Sequence, residues 1–227
     1  MLLKKRILFL TITIALIACQ SKTEEKGHTL NSTTGTEGKK EAVVKKTEPT
    51  VKSIYYSNVL AIENVSINNH KLILPKSEFD SLYGTTIDST RADIWECANP
   101  FVWLDEEWMI KTYGKDKEME DFARFNGKIA TLFSKGRVFH TNNHIVLFER
   151  TPAKNNQFRI LSHQIVLDQN TTVAMFRKKF PDVAPEKTND SDEPIFRIYT
   201  DNDRVDAFLF YFKNGKLDYM TLWFELC

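Results

Sequence analysis

VDAFLFYFKNGKLDYMTLWFEL, residues 205–226, holds two runs of alternating side chains around Asn214-Gly215. An Asn-Gly pair favours the type I′ turn, whose left-handed backbone matches the twist of the strands it joins, so the segment predicts a β-hairpin. Strand side chains alternate between faces. Phe208, Phe210 and Phe212 therefore share one face, as do Met220, Leu222 and Phe224 on the partner strand. The other face carries Leu209, Tyr211, Tyr219 and Trp223, too apolar a set to stand in water; it is either covered or a binding surface. With residues 195–200 as a further strand, this predicts a three-stranded meander on which a helix over residues 173–180 can pack.

An earlier part of the chain has the same order. His70-Lys71-Leu72-Ile73-Leu74, a polar break and Phe79-Asp80-Ser81-Leu82 line up with His163-Gln164-Ile165-Val166-Leu167, a polar break and Val173-Ala174-Met175-Phe176. Period two gives way to spacings of three and four in both copies, which reads as strand then short helix. Ser77 and Asn170 or Thr171 are candidate N-caps, and Gly84 and Pro181 candidate stops. Residues 128–139, KIATLFSKGRVF, give the first copy a β-rich tail turning at Lys135-Gly136, while residues 182–194, DVAPEKTNDSDEP, read as a loop. The expected fold is α+β: two strand-helix-meander repeats, about 65–150 and 158–227, forming a mainly antiparallel sheet with short helices packed on it. The arrangement TTVAMFRKKFP … FYFKNGKLDYM (171–181 and 210–220) resembles, over roughly residues 162–220, the tandem α/β repeats of β-lactamase-inhibitor proteins and of small outer-membrane assembly lipoproteins, with a weaker match at 66–140. That resemblance implies a protein-binding module, and the first copy departs from it by an insertion between Ile94 and Phe125.

The inserted DIWECANPFVWLDEEW holds Trp95, Trp103 and Trp108 beside Asp105, Glu106 and Glu107. Three roles are open to it: an aromatic platform for a glycan or protein partner, a carboxylate pair for glycoside hydrolysis, or core indoles ahead of a solvated helix near 106–113. The three tryptophans are the candidate binding surface. No G-x-S-x-G, S-x-x-K, H-E-x-x-H or phosphate-binding Gly-rich loop occurs, so no catalytic residue is assigned. His140 and His144 flank a turn and read as two surface histidines, so neither a metal site nor a cofactor is expected.

The N-terminus gives the address. Lys4, Lys5 and Arg6 precede an apolar run, residues 7–17, that falls short of the roughly 20 residues needed to cross a bilayer. A basic start, an apolar middle and small Ala18 make residues 1–18 a secretory signal. Leu16-Ile17-Ala18-Cys19 resembles the lipobox of bacterial lipoproteins, which implies lipidation of Cys19. Gln20 in place of Asp is similar to lipoproteins of the outer membrane, and Ser21-Lys22-Thr23-Glu24-Glu25 to the tags of surface-exported lipoproteins of Bacteroidota. From Gln20 to Asn58 the chain is polar, with no Phe or Trp, and is read as a disordered tether, leaving 59–227 as one α+β domain.

Losing three of the 31 basic residues with the signal leaves 28 against 30 acidic, a formal charge of −2, and nucleic acid is not an expected partner. Cys97 and Cys227 remain, and in an oxidising envelope the pair reads as a disulfide; closing so long a loop stabilises by about 5 kcal/mol. The sequence therefore points to a membrane-anchored envelope lipoprotein, periplasmic or surface-exposed. Its domain is expected to bind another envelope or extracellular protein without catalysis, in an inhibitory or assembly role. The alternative is a glycan-acting enzyme using the carboxylates of 94–108.

Overall fold

The computed structural model describes residues 53–95, 99–115, 122, 124–188 and 191–226. The signal, Cys19, most of the tether, Cys97 and Cys227 lie outside the described residues. In chain order the elements are β1 (Val65–Ile67), β2 (His70–Lys71), β3 (Ile73–Pro75), α1 (Lys76–Tyr83), β4 (Ser89–Ile94), α2 (Phe101–Leu104) and α3 (Glu106–Tyr113). They continue with β5 (Lys128–Ser134), β6 (Arg137–Thr141), β7 (Ile145–Pro152), β8 (Phe158–Ile160), β9 (Ile165–Leu167) and α4 (Val173–Lys179). The last four are β10 (Pro185–Thr188), β11 (Ser191–Tyr199), β12 (Ala207–Lys213) and β13 (Lys216–Trp223). The fold is α+β and mainly antiparallel, with a few short helices packed on the sheets.

Two four-stranded meanders, β4 to β7 and β10 to β13, join by their last strands into the order β10-β11-β12-β13-β7-β6-β5-β4. The seam pairs Tyr219 with Pro152, Met220 with Thr151 and Thr221 with Arg150. Each meander receives its helix in the same way. Lys76 N, at the start of α1, donates to His144 O at 2.8 Å, and Val173 N, at the start of α4, donates to Gly215 O at 3.2 Å. These carbonyls close the turn before β7 and before β13, so each helix begins where its meander's last strand begins. A second sheet, β2-β1-β8-β9, takes two strands from each half and ties them together.

Phe79 on α1 reaches Phe139 and Phe148, with ring centroids 4.9 and 6.4 Å away, while Phe176 on α4 reaches Phe196, Phe210 and Phe212 at 4.7, 5.1 and 5.5 Å. Both helices present a second ring one turn later, Tyr83 and Phe180, because residues four apart share a helix face. Phe79 therefore corresponds to Phe176, not to Val173 as the sequence alignment set it. The strand runs directly into the helix in the first copy, whereas residues 168–172 intervene in the second. The caps also differ from expectation. Thr172 Oγ1, not Asn170 or Thr171, accepts from Met175 N, and α1 begins after Pro75 without a side-chain cap.

Two boundaries move. Residues 182–194 contain β10, an edge strand whose polar sequence hid its pairing with β11. The folded region begins before residue 59: Tyr55 is buried, its N–H donates to Lys179 O at 2.7 Å, its hydroxyl donates to Val59 O, and its ring meets His163 at 4.4 Å. The tether read through Asn58 is therefore shorter at its C-terminal end.

The buried side chains of both halves form one continuous cluster. Phe79→Ala and Phe176→Ala should each cost about 3–5 kcal/mol, the range for emptying a core phenylalanine site. Denaturant unfolding of either variant should show one transition, and two resolved transitions would mean that the repeats fold separately.

Candidate functional site

Alternation along the strands gives the main sheet two unlike faces. One lies under α1 and α4 and carries the row Phe196, Phe210, Met220 and Thr151, all buried. The next row, Arg197, Leu209, Thr221 and Arg150, points the other way on β11, β12, β13 and β7. Beside it lie Ile195, Tyr211, Tyr219 and Pro152.

On that open face Tyr211 and Tyr219 stack at 4.2 Å with an interplanar angle of 15°. Arg150 lies over Tyr219 at 4.0 Å and Arg197 over Trp223 at 5.1 Å. Arg150 is exposed, and the other four are half-buried. Burial pushes the hydroxyl groups of Tyr211 and Tyr219 up from the ordinary tyrosine value, so both stay protonated donors. Next to the stack a depression of about 370 Å³ is lined by Glu193, Lys213, Asp218 and the two tyrosines, among others.

The three tryptophans named from the sequence are half-buried in separate places. Trp95 stacks on Phe101 at 6.2 Å and covers His140 at 4.3 Å. Trp103 meets Phe224 at 6.3 Å and lies under Arg204 at 4.4 Å. Trp108 lies flat on His144 at 4.9 Å. Each indole has its own ring partners, and among the described residues no ring contact joins two of the three. They do not make one platform; Trp95 and Trp103 pack against the core.

The acidic triplet is likewise divided. Asp105 accepts from Asn142 Nδ2 at 2.8 Å and pairs with His144 Nδ1 at 2.9 Å, holding the β6–β7 turn against α3. Glu106 pairs with Lys115 at 2.9 Å, and Glu107 is exposed in the first turn of α3. His140, expected at the surface, is buried: Nδ1 meets Thr131 Oγ1 at 3.0 Å and Nε2 pairs with Glu149. No cluster of three metal-ligating side chains occurs among the described residues.

A cleft of about 580 Å³ opens beside Trp103, with Ile62, Leu72, Ile73 and Leu104 as apolar walls and Asp201, Arg204 and Asp206 at its rim. That size lies within the range of small-molecule sites. Asp206 is buried; Oδ1 accepts from Glu225 N at 3.2 Å and Oδ2 lies 3.8 Å from Arg204. Burial raises its carboxyl above the ordinary aspartate value, more than the Glu225 amide and Arg204 lower it.

Comparison with family models, with curated proteins and with solved structures finds no match to this chain. The sequence pointed to the tyrosines and Trp223 by their alternation but not to Arg150 and Arg197. Arg197 was readable, since it shares a face with Ile195 and Tyr199 and alternates with Phe196 and Ile198 on its strand. Arg150 was not, because a register shift between β6 and β7 moves it out of simple alternation.

A carboxyl raised by folding favours the protonated native state, so its contribution is present below the unfolded value and is lost as pH rises through the folded one. Asp206→Asn keeps an acceptor for Glu225 and removes the buried charge. It should raise the melting temperature at pH 7 and leave it unchanged below about pH 3, where the unfolded aspartate is protonated too. Thermal melts of the pair at both pH values check this.

Proposed function

We propose that this chain is a lipid-anchored envelope protein of the outer membrane whose α+β domain binds another protein without catalysing a reaction. The observation that carries the binding role is the open sheet face, where Arg150, Arg197, Tyr211, Tyr219 and Trp223 lie together, Arg150 exposed and the other four half-buried. Arginine, tyrosine and tryptophan are the residue types that dominate interface hot spots. Tyrosine and tryptophan bring a large contact area at a small ordering cost, and arginine brings a planar fork of donors. The cation–π stacks hold these side chains in place before a partner arrives, which lowers the entropy lost on binding.

The anchor rests on the lipobox-like Leu16-Ile17-Ala18-Cys19. No described helix is long and apolar enough to cross a membrane. Acyl chains on Cys19 would each contribute about 0.8 kcal/mol per buried CH₂, enough together for stable attachment. The partner is an envelope or extracellular protein, which this module inhibits or helps to assemble. Its charge near neutrality argues against nucleic acid.

Two measurements test the reading. Intact mass and membrane fractionation should show acylated, membrane-bound native protein and a soluble, unacylated Cys19→Ala variant; an unmodified Cys19 on the native protein rejects the anchor. Crosslinking from native membranes should capture a partner, and Tyr219→Ala or Trp223→Ala should weaken that complex about 30-fold or more, as loss of a hot spot does. Full retention of the complex by both variants, folded as judged by circular dichroism, would show that the binding face lies elsewhere.

A further inference from the structure

The sheet ends at β4, and among the described residues no strand pairs with its outer edge. Five of the six residues from Ser89 to Ile94 are exposed, and Ile94 is 53% exposed. An edge of this kind is an open template for another strand unless the protein blocks it. Proteins usually block edges with proline, bulges, a covering segment or charges, most often lysine, that have no complement on an approaching strand. This one carries Arg91 and Asp93 on either side of Ala92.

The ladder fixes which groups are free. Trp95 N donates to Gly127 O at 2.9 Å, and bonded positions alternate along an antiparallel pair. Asp93, Arg91 and Ser89 therefore turn their main-chain groups toward β5, while Thr90, Ala92 and Ile94 turn theirs outward. The outward N–H of Ile94 is met by Asp93 Oδ1 at 3.0 Å, a local substitute for a strand partner.

We propose that β4 pairs with β4 of a second copy, antiparallel about a two-fold axis through Ala92. In that register Ala92 faces Ala92 of the other copy, Arg91 faces Asp93, and Thr90 faces Ile94. The outward groups then form about six main-chain hydrogen bonds, two at each bonded pair. Arg91 and Asp93 occupy unbonded positions, where facing side chains come closest, so the two copies make two reciprocal ion pairs. The charged groups are already placed for this. Arg91 lies over the Phe133 ring at 5.6 Å and 2.8 Å from Asp93, and Asp93 accepts from Thr131 Oγ1 at 3.3 Å. On the other face of the strand, exposed Ile94 gains the methyl group of Thr90 and the side chain of Ala92. Charge complementarity and the exposed isoleucine both select a second copy of this chain, since the strand's sequence complements its own reverse.

The test is native mass spectrometry of the full chain in detergent micelles. Wild type should be a dimer, and Arg91→Asp and Asp93→Arg, which put like charges across the axis, should each halve the mass. Mixing the two variants should restore a dimer containing one copy of each, and Arg91→Asp/Asp93→Arg should dimerise by itself. A wild-type chain that is monomeric at every concentration overturns the proposal. So do single variants that stay dimeric, or folded single variants, by circular dichroism, that fail to combine.

Discussion

Three residue pairs between β7 and β13 carry the architecture. They join two four-stranded meanders last strand to last strand, and an antiparallel seam of this kind relates the halves by an approximate two-fold rotation. Both helices then fall on one side of the sheet, because each is fixed to the start of its own last strand by the bonds Lys76 N to His144 O and Val173 N to Gly215 O. The opposite face is thereby left without α1 or α4. The bare face is a consequence of the seam and not a separate feature.

Each half also carries a register shift, between Val138 and Phe139 on the β6–β7 pair and between Tyr211 and Phe212 on the β12–β13 pair. Bulges increase local twist and re-aim side chains. The first shift sits beside Glu149 and Arg150, so Glu149 reaches buried His140 while Arg150 covers Tyr219. Packing under the sheet and display above it are set by the same irregularity.

How much was legible follows from how local each signal was. Asn214-Gly215 and Lys135-Gly136 were readable as turns because these residues take positive φ, 51° and 72° at the first pair and 49° and 79° at the second. The repeated strand-helix order was readable from periodicity, and residues 106–113 were readable as a helix. What failed depended on distant partners. Strand β10 is a polar edge with no alternation to show it. His140 is buried because Trp95, 45 positions away, covers it. The indoles looked like one cluster because they are close in sequence, but α2 and α3 turn the chain so that each meets a different surface.

The two halves differ in what they do with the open face. In the first, the insertion that forms α2 and α3 folds back: Trp95 lies on His140, and Asp105 holds Asn142 and His144 of the β6–β7 turn. Water is thereby displaced from Thr131 and His140, and a buried polar group costs free energy unless it is hydrogen-bonded. The Thr131–His140–Glu149 chain meets that requirement, which accounts for a histidine with partners at both ring nitrogens deep in a sheet. In the second half no insertion intervenes, and Tyr211, Tyr219 and Trp223 keep part of their surface in water. Apolar area that one repeat has covered with its own chain the other has kept available. Two halves with the same core thus differ in how much of one face the chain itself covers, and it is the second that leaves stacked aromatic surface in contact with water.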